Sequence, residues 1–281
     1  MIKRYIKNHE ILSFIFLTFL FSWTIWVMLY ISSKNWAMLE IINTLGAFGP
    51  GIMSIILTGF LYKKKGLKAL LTRLTKWRYN LIYYIIAVFY WIASIYIFYL
   101  ICKFFGSKGK VTFINTKPYY ILGGFIYTLL LGGPLGEEIG WRGFLLPRLQ
   151  KRLNPFYSSI VLGIIWSCWH LPLFFIAGTC QYGIPFFVFI MVGIINTIII
   201  TWIFNRTNGS LIFPILFHTC INMTWLGLLV GAEAFAITNI YKFSIVQVVI
   251  MIFVVRDMFK NSKYGRVTVD NGDIVVIGEN K

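Results

Sequence analysis

Long apolar runs alternate with short polar, mostly basic loops along almost the whole chain. A helix rising 1.5 Å per residue needs about twenty predominantly apolar residues to cross the hydrocarbon core of a bilayer. That ruler predicts eight spans, near residues 11–32, 41–62, 81–104, 118–146, 156–176, 184–205, 210–230 and 243–261. The last is the weakest, because Lys242 limits its start and Arg256 with Asp257 interrupts its end. The fourth is longer than a bilayer requires, so only part of it need lie in hydrocarbon. Between spans, Lys63 to Arg78 sets Leu67, Leu70, Leu71 and Leu74 at helical spacing against a basic face, the pattern of an interfacial helix on anionic lipid. A second basic stretch, Leu145 to Asn154, has the same character, with Pro147 expected to end or bend the helix. Both read as topology anchors. After the last span, Asn271-Gly272 lies between β-branched runs and predicts a small hairpin, which would be marginal alone in water. The organisation expected is one transmembrane domain over residues 1–262 and a short cytoplasmic tail over 263–281.

Composition supports this reading: 58% of the 281 residues are hydrophobic and only 12% charged, outside the range of soluble domains. The fold class expected is therefore all-α, a polytopic membrane protein of about eight transmembrane helices. A net charge of +17 would suit a nucleic-acid partner in a soluble protein, but here the basic residues sit in loops between spans. No soluble domain is left to build a basic groove, so nucleic acid is excluded and membrane lipid is the expected neighbour. With the N-terminus inside, 20 of the 26 Lys and Arg fall on one side, leaving Lys34, Lys103, Lys108, Lys110, Lys117 and Lys242 on the other. That asymmetry predicts cytoplasmic N- and C-termini in a multi-pass plasma-membrane protein. Residue usage rich in Ile, Lys and Asn points to a bacterial source. The four cysteines, Cys102, Cys168, Cys180 and Cys220, are irregularly spaced with no Cys-x-x-Cys pair, and read as small buried hydrophobes. Cys168, near His170, is the one position where a thiol nucleophile would be proposed, though nothing in the sequence depresses its pKa.

Chemistry concentrates at the few polar groups inside the apolar runs. An ionisable side chain at bilayer depth costs about 2.5–3.5 kcal/mol on insertion scales, and the adjacent Glu137 and Glu138 are therefore a functional-site hypothesis. Glu138 and Arg142, at i and i+4, can pair on one helix face, whereas Glu137 points about 100° away. His170 lies late in the fifth span, and His218 shares a helix face with Asn222. Counted from the cytoplasmic helix ends, Glu137, His218 and His170 lie roughly 14, 12 and 21 Å deep, close enough to meet in one cavity. In that arrangement Glu137 with His170 would hold and deprotonate a water, while His218 and Asn222 would donate to the oxyanion of a tetrahedral intermediate. The bland alternative for each histidine is a hydrogen bond between helices. Other protease chemistries lack their residues: no Asp lies between Glu10 and Arg256, and neither Gly-x-Ser-x-Gly nor His-Glu-x-x-His occurs. No cofactor is expected, with zinc on Glu137, His170 and His218 as the alternative.

The ordered motifs Glu137-Glu138-x-x-x-Arg142, Trp166-x-x-x-His170 and His218-x-x-x-Asn222 resemble those of the CAAX protease and bacteriocin-processing (CPBP, or Abi) family, which includes the type II CAAX prenyl proteases. The resemblance covers roughly residues 40–230. It implies a helical core around a cytoplasm-facing cavity and a glutamate-dependent intramembrane endopeptidase acting on a peptide or protein substrate, lipidated or not. By this resemblance Glu137 and His170 activate water, His218 and Asn222 form the oxyanion hole, and Glu138 and Arg142 are supporting residues. Trp166 stands where Phe is common, a conservative departure. Competing classes are a non-catalytic bacteriocin self-immunity protein using the same cavity, and a transporter, for which the chain lacks an inverted repeat.

Overall fold

The described parts of the eight apolar runs fall on helices, the second and the fourth on more than one, as backbone in hydrocarbon must satisfy its own N–H and C=O groups. The structure, a computed structural model, describes residues 1–32, 36–105, 117–225, 237–260 and 266–277. A short α1 (Ile2–Asn8) leads into α2 (Glu10–Ser32), and α3 (Trp36–Ala47) with α4 (Gly49–Leu71) returns along it. Then follow α5 (Leu81–Phe104), α6 (Pro118–Leu130), α7 (Pro134–Gly140), α8 (Leu146–Gln150), α9 (Pro155–Trp169), α10 (Phe186–Arg206), α11 (Ile212–Trp225) and α12 (Ile237–Lys260). Five segments among the described residues are long and apolar enough to cross a membrane, and Pro155–Trp169 and Ile212–Thr224 are shorter apolar helices. The protein is an all-helical polytopic membrane protein. Asp257, the charge that interrupts the last run, is paired with Arg206 and accepts the Trp202 indole N–H at 2.7 Å.

The fourth run is broken rather than straight. Gly133 adopts φ 100°, a conformation closed to most side chains, and Pro134 then starts α7. From there the helix continues to Gln150 through one π turn, Trp141–Leu145. Of the two outcomes expected at Pro147, a stop or a bend, the stop does not occur. Proline offers no N–H to the Gly143 carbonyl four residues back, and the buried guanidinium of Arg73 donates to that carbonyl instead. Arg73 belongs to the basic stretch expected to lie on lipid. That stretch in fact packs on protein, with Leu70 in the core and Leu74 against it. The first half of the second basic stretch also packs on protein, Leu146 to Gln150 being buried, while Lys151 and Arg152 are exposed. Arg148 there donates to Glu10 Oε2 at 2.5 Å and to the Phe144 carbonyl at 2.8 Å.

The hairpin forms as β1 (Arg266–Asp270) and β2 (Asp273–Ile277), antiparallel. Asn271 and Gly272 both take positive φ, 45° and 85°, the turn whose twist matches paired strands. It is not an isolated element. Val267 is fully buried, its N–H donating to Asn205 Oδ1 at 3.2 Å and its carbonyl accepting from Gln150 Nε2 at 3.0 Å. The Gln150 and Asn205 amides also pair with each other, so α8, α10 and β1 share one polar knot.

Close backbone approach positions the site. A Cβ on Gly51 would lie 2.5 Å from the Gly136 carbonyl oxygen, and one on Gly140 would lie 2.5 Å from Pro50 backbone atoms. The start of α4 therefore crosses α7, from Gly136 to Gly140, at backbone contact, the way membrane helices exploit small residues. Around this crossing Trp26, Trp141, Phe144 and Trp169 form one core, while Trp91, Ile199 and Phe217 belong to a second among α5, α10 and α11.

Two stability predictions follow from this packing. Gly140→Ala overpacks the α4–α7 crossing and should cost about 1–3 kcal/mol; an unchanged thermal midpoint in detergent would refute the close approach. Asn205→Ala strands the Val267 N–H and should cost about 1–3 kcal/mol, read as earlier proteolysis of the C-terminal hairpin than in the parent chain.

Candidate active site

Glu137, His170, His218 and Asn222 line a single cavity of about 190 Å³ together with Trp26, Trp166 and Asn196. Three elements bring them there. The Gly133 break turns α7 so that Glu137 and Glu138 sit in its first turns, at the glycine crossing with α4. His170 caps the end of α9, and His218 and Asn222 project from one face of α11. The four side chains thus come from three helices that are remote in sequence.

Glu138 is fully buried and its Oε1 is a meeting point. The Arg142 Nη1 donates to it at 2.7 Å, the expected i,i+4 pair, and His218 Nδ1 lies 2.8 Å from the same oxygen. Arg142 also donates to Thr197 of α10 at 3.3 Å. A carboxylate cannot donate, so His218 Nδ1 carries a hydrogen and its Nε2 is the atom left for chemistry. The pairing of Glu138 with His218 was absent from the sequence reading, because nothing local links residues 80 apart.

Glu137 is held differently. The Trp166 indole N–H donates to its Oε2 at 2.7 Å, leaving Oε1 for a further partner. The same residue orients the next histidine: His170 Nδ1 lies 2.8 Å from the Trp166 backbone carbonyl. A carbonyl only accepts, so His170 donates from Nδ1 and keeps the lone pair on Nε2. Trp166 therefore connects the two groups that sequence reasoning assigned to one water. Treating tryptophan as a conservative stand-in for phenylalanine missed this role, since phenylalanine has no N–H to give. The signal was present in the residue itself, a hydrogen-bond donor four residues before a histidine on a helix facing an acid.

Asn222 lies on the cavity but spends one amide hydrogen on the Gly132 carbonyl at 3.2 Å, tying α11 to the break before α7. Asn196 of α10, not singled out from sequence, is buried on the cavity wall with its Oδ1 lacking a partner among the described residues. Cys168 is half-buried and is not among the cavity-lining residues, which removes the support for a thiol nucleophile. Cys180 is exposed at the cavity rim rather than buried as expected, because it falls in the loop after α9. Among the described residues no group of three His, Cys, Asp or Glu side chains is placed to hold a metal ion.

Comparison with known proteins bears on the segment that carries these residues. Residues 118–224 match the sequence model of the type II CAAX prenyl endopeptidase Rce1-like family. A CAAX prenyl protease 2 of Methanococcus maripaludis is 36% identical over 127 residues, which cover 39% of this chain and 45% of the relative. The chain thus spans less than half the length of that relative. All three ordered motifs fall inside the stretch that matches the Rce1-like model.

Proposed function

We propose that the protein is an intramembrane endopeptidase that hydrolyses a peptide bond with water activated by Glu137 and His170. The observation that carries this reading is Trp166, which at once holds Glu137 by its indole and sets the His170 tautomer by its carbonyl. Glu137 and His170, each left with one acceptor atom by these bonds, line one cavity. In the proposed reaction a water bound to these atoms gives one proton to Glu137 while its oxygen adds to the substrate carbonyl carbon. His218, oriented by the bond from its Nδ1 to the Glu138 carboxylate, donates from Nε2 to the oxyanion, and the remaining Asn222 amide hydrogen is a second donor. Collapse of the tetrahedral intermediate breaks the C–N bond, and the proton on Glu137 passes to the leaving amine. Glu138 and Arg142 act as support, because His218 is oriented through Glu138. The reaction needs no metal. We further propose, from the distribution of Lys and Arg, that both termini lie in the cytoplasm.

Glu137→Gln keeps an acceptor for the Trp166 indole and should fold normally while losing about 10²–10⁴-fold in cleavage rate. Proteoliposomes given a peptide pool, with products read by mass spectrometry, test this; full activity in that variant would remove the glutamate mechanism. Arg142→Ala leaves a buried carboxylate without its cation and should cost about 3–5 kcal/mol, seen as a large drop in thermal midpoint. A midpoint within a degree or so of the parent would show that the pair is not buried as described. Purified protein should hold no stoichiometric zinc and keep its activity after chelation, whereas one zinc per chain with chelator-sensitive activity would favour the metal-dependent alternative.

A further inference from the structure

Among the described residues three arginines are buried, Arg73, Arg142 and Arg148. Arg142 is paired with Glu138 and Arg148 with Glu10, but Arg73 has no acid beside it among the described residues. The acids at this end of the bundle are already engaged: Glu10 also accepts from the Tyr62 hydroxyl, Asp270 lies 3.5 Å from Lys151, and Asp273 lies 2.7 Å from Lys65. One Arg73 nitrogen, Nη2, donates to the Gly143 carbonyl, and the guanidinium lies 6.0 Å from the Phe204 ring. Its Nε and Nη1 are buried with no hydrogen-bond partner among the described residues. A guanidinium taken out of water needs acceptors for its N–H groups and a charge to balance its own. Here it meets one carbonyl.

Arg73 and Arg148 both line a small cavity of about 10 Å³, separate from the one that holds Glu137 and His170. Thr58 adds a hydroxyl to its wall, and Val269 and Gly272 of the docked hairpin close it. Glycine keeps the space open on the helix side, since a Cβ on Gly143 would lie 3.3 Å from Arg73 Nη2. A cavity of this size takes about one water-sized sphere. A four-oxygen anion such as phosphate is too large for it, whereas a single atom is not.

We propose that Arg73, with Arg148 and Thr58, holds one monatomic anion of the halide class, chloride being the abundant one, beneath the C-terminal hairpin. The ion accepts from the Arg73 N–H groups that the chain leaves unmet, and its charge balances the guanidinium that no acid neutralises. Arg148, already paired with Glu10, contributes a second positive edge to the same cavity. Because part of the wall is the hairpin, the site is complete only while the hairpin is docked, and binding the ion fastens the hairpin to the bundle. The proposal is independent of the peptidase reading, and none of its residues lines the cavity of Glu137 and His170.

The test uses the purified full chain in detergent, with chloride exchanged for gluconate, which is too large for the cavity, at constant ionic strength. Opening of the hairpin is read as the rate of limited proteolysis within residues 266–277. That rate should fall about tenfold when chloride stands at ten times its dissociation constant, because the ion binds only the docked form. Bromide should replace chloride, and its anomalous scattering in crystals should place it within hydrogen-bond reach of Arg73 Nε or Nη1. Arg73→Gln should abolish the chloride dependence. That variant also gives up the donor to the Gly143 carbonyl, so Ala69→Leu serves beside it: it fills the cavity from a half-buried position of the wall, keeps the guanidinium, and should abolish the dependence too. Equal proteolysis in chloride and gluconate, protection by phosphate but not by chloride, an undiminished chloride response in Ala69→Leu, or bromide absent from Arg73 would each overturn the proposal. A chloride response that arises only after Glu279→Gln, at an acid outside the described residues, would also overturn it, by making a carboxylate of the chain the occupant.

Discussion

The carboxylate of Glu138 is the point on which the site depends. Its Oε1 accepts from Arg142 in its own helix and from His218 on α11, so one buried oxygen joins two elements and fixes the orientation of an imidazole. Burying such a charge is costly, and the attraction of two partners offsets the cost only if they stay in register. The glycine crossing of α4 and α7 supplies that register, since Gly51 and Gly140 let the backbones meet without side chains that could slide. Glu137, next in sequence, inherits a fixed position from the same crossing and is then held from the far side by Trp166.

Beneath the site, the basic end of the bundle is tied together by hydrogen bonds to backbone groups that would otherwise be unsatisfied. The carbonyl left without a donor by Pro147 is taken by Arg73. The edge of β1 is taken by Asn205 and Gln150. In hydrocarbon or protein interior an unmet backbone group costs more than the same group at a wet surface, which accounts for side chains as polar as Arg73 and Gln150 being buried here. The outcome is a hydrogen-bonded base that joins the Lys63–Arg78 stretch, α8, the α10–α11 turn and the hairpin.

The helices were legible from the sequence because a membrane imposes a simple rule, long apolar runs, that needs no knowledge of partners. The Asn271-Gly272 turn was legible for a similar reason, as its chemistry is local. Contacts between remote residues were not. Basic faces at helical spacing look the same whether they lie on lipid or on protein, so Arg73 and Arg148 were assigned to the surface although both are buried. Proline predicts a stop or a bend, and the tertiary partner of the Gly143 carbonyl explains why the helix continues. At the site, residue types and order indicated which side chains would meet, and the i,i+4 pairing of Glu138 with Arg142 was readable. The link from Glu138 to His218 and the double role of Trp166 depend on how α7, α9 and α11 pack, which spacing does not encode.

The central claim is that water, positioned by Glu137 and His170, attacks the peptide carbonyl directly with no acyl-enzyme formed. Peptide cleavage in the presence of increasing hydroxylamine tests it most directly, because an acyl-enzyme would be intercepted. The account predicts that the new C-terminus is a carboxylic acid at every hydroxylamine concentration. Accumulation of the hydroxamate would contradict it and require a covalent nucleophile in the cavity.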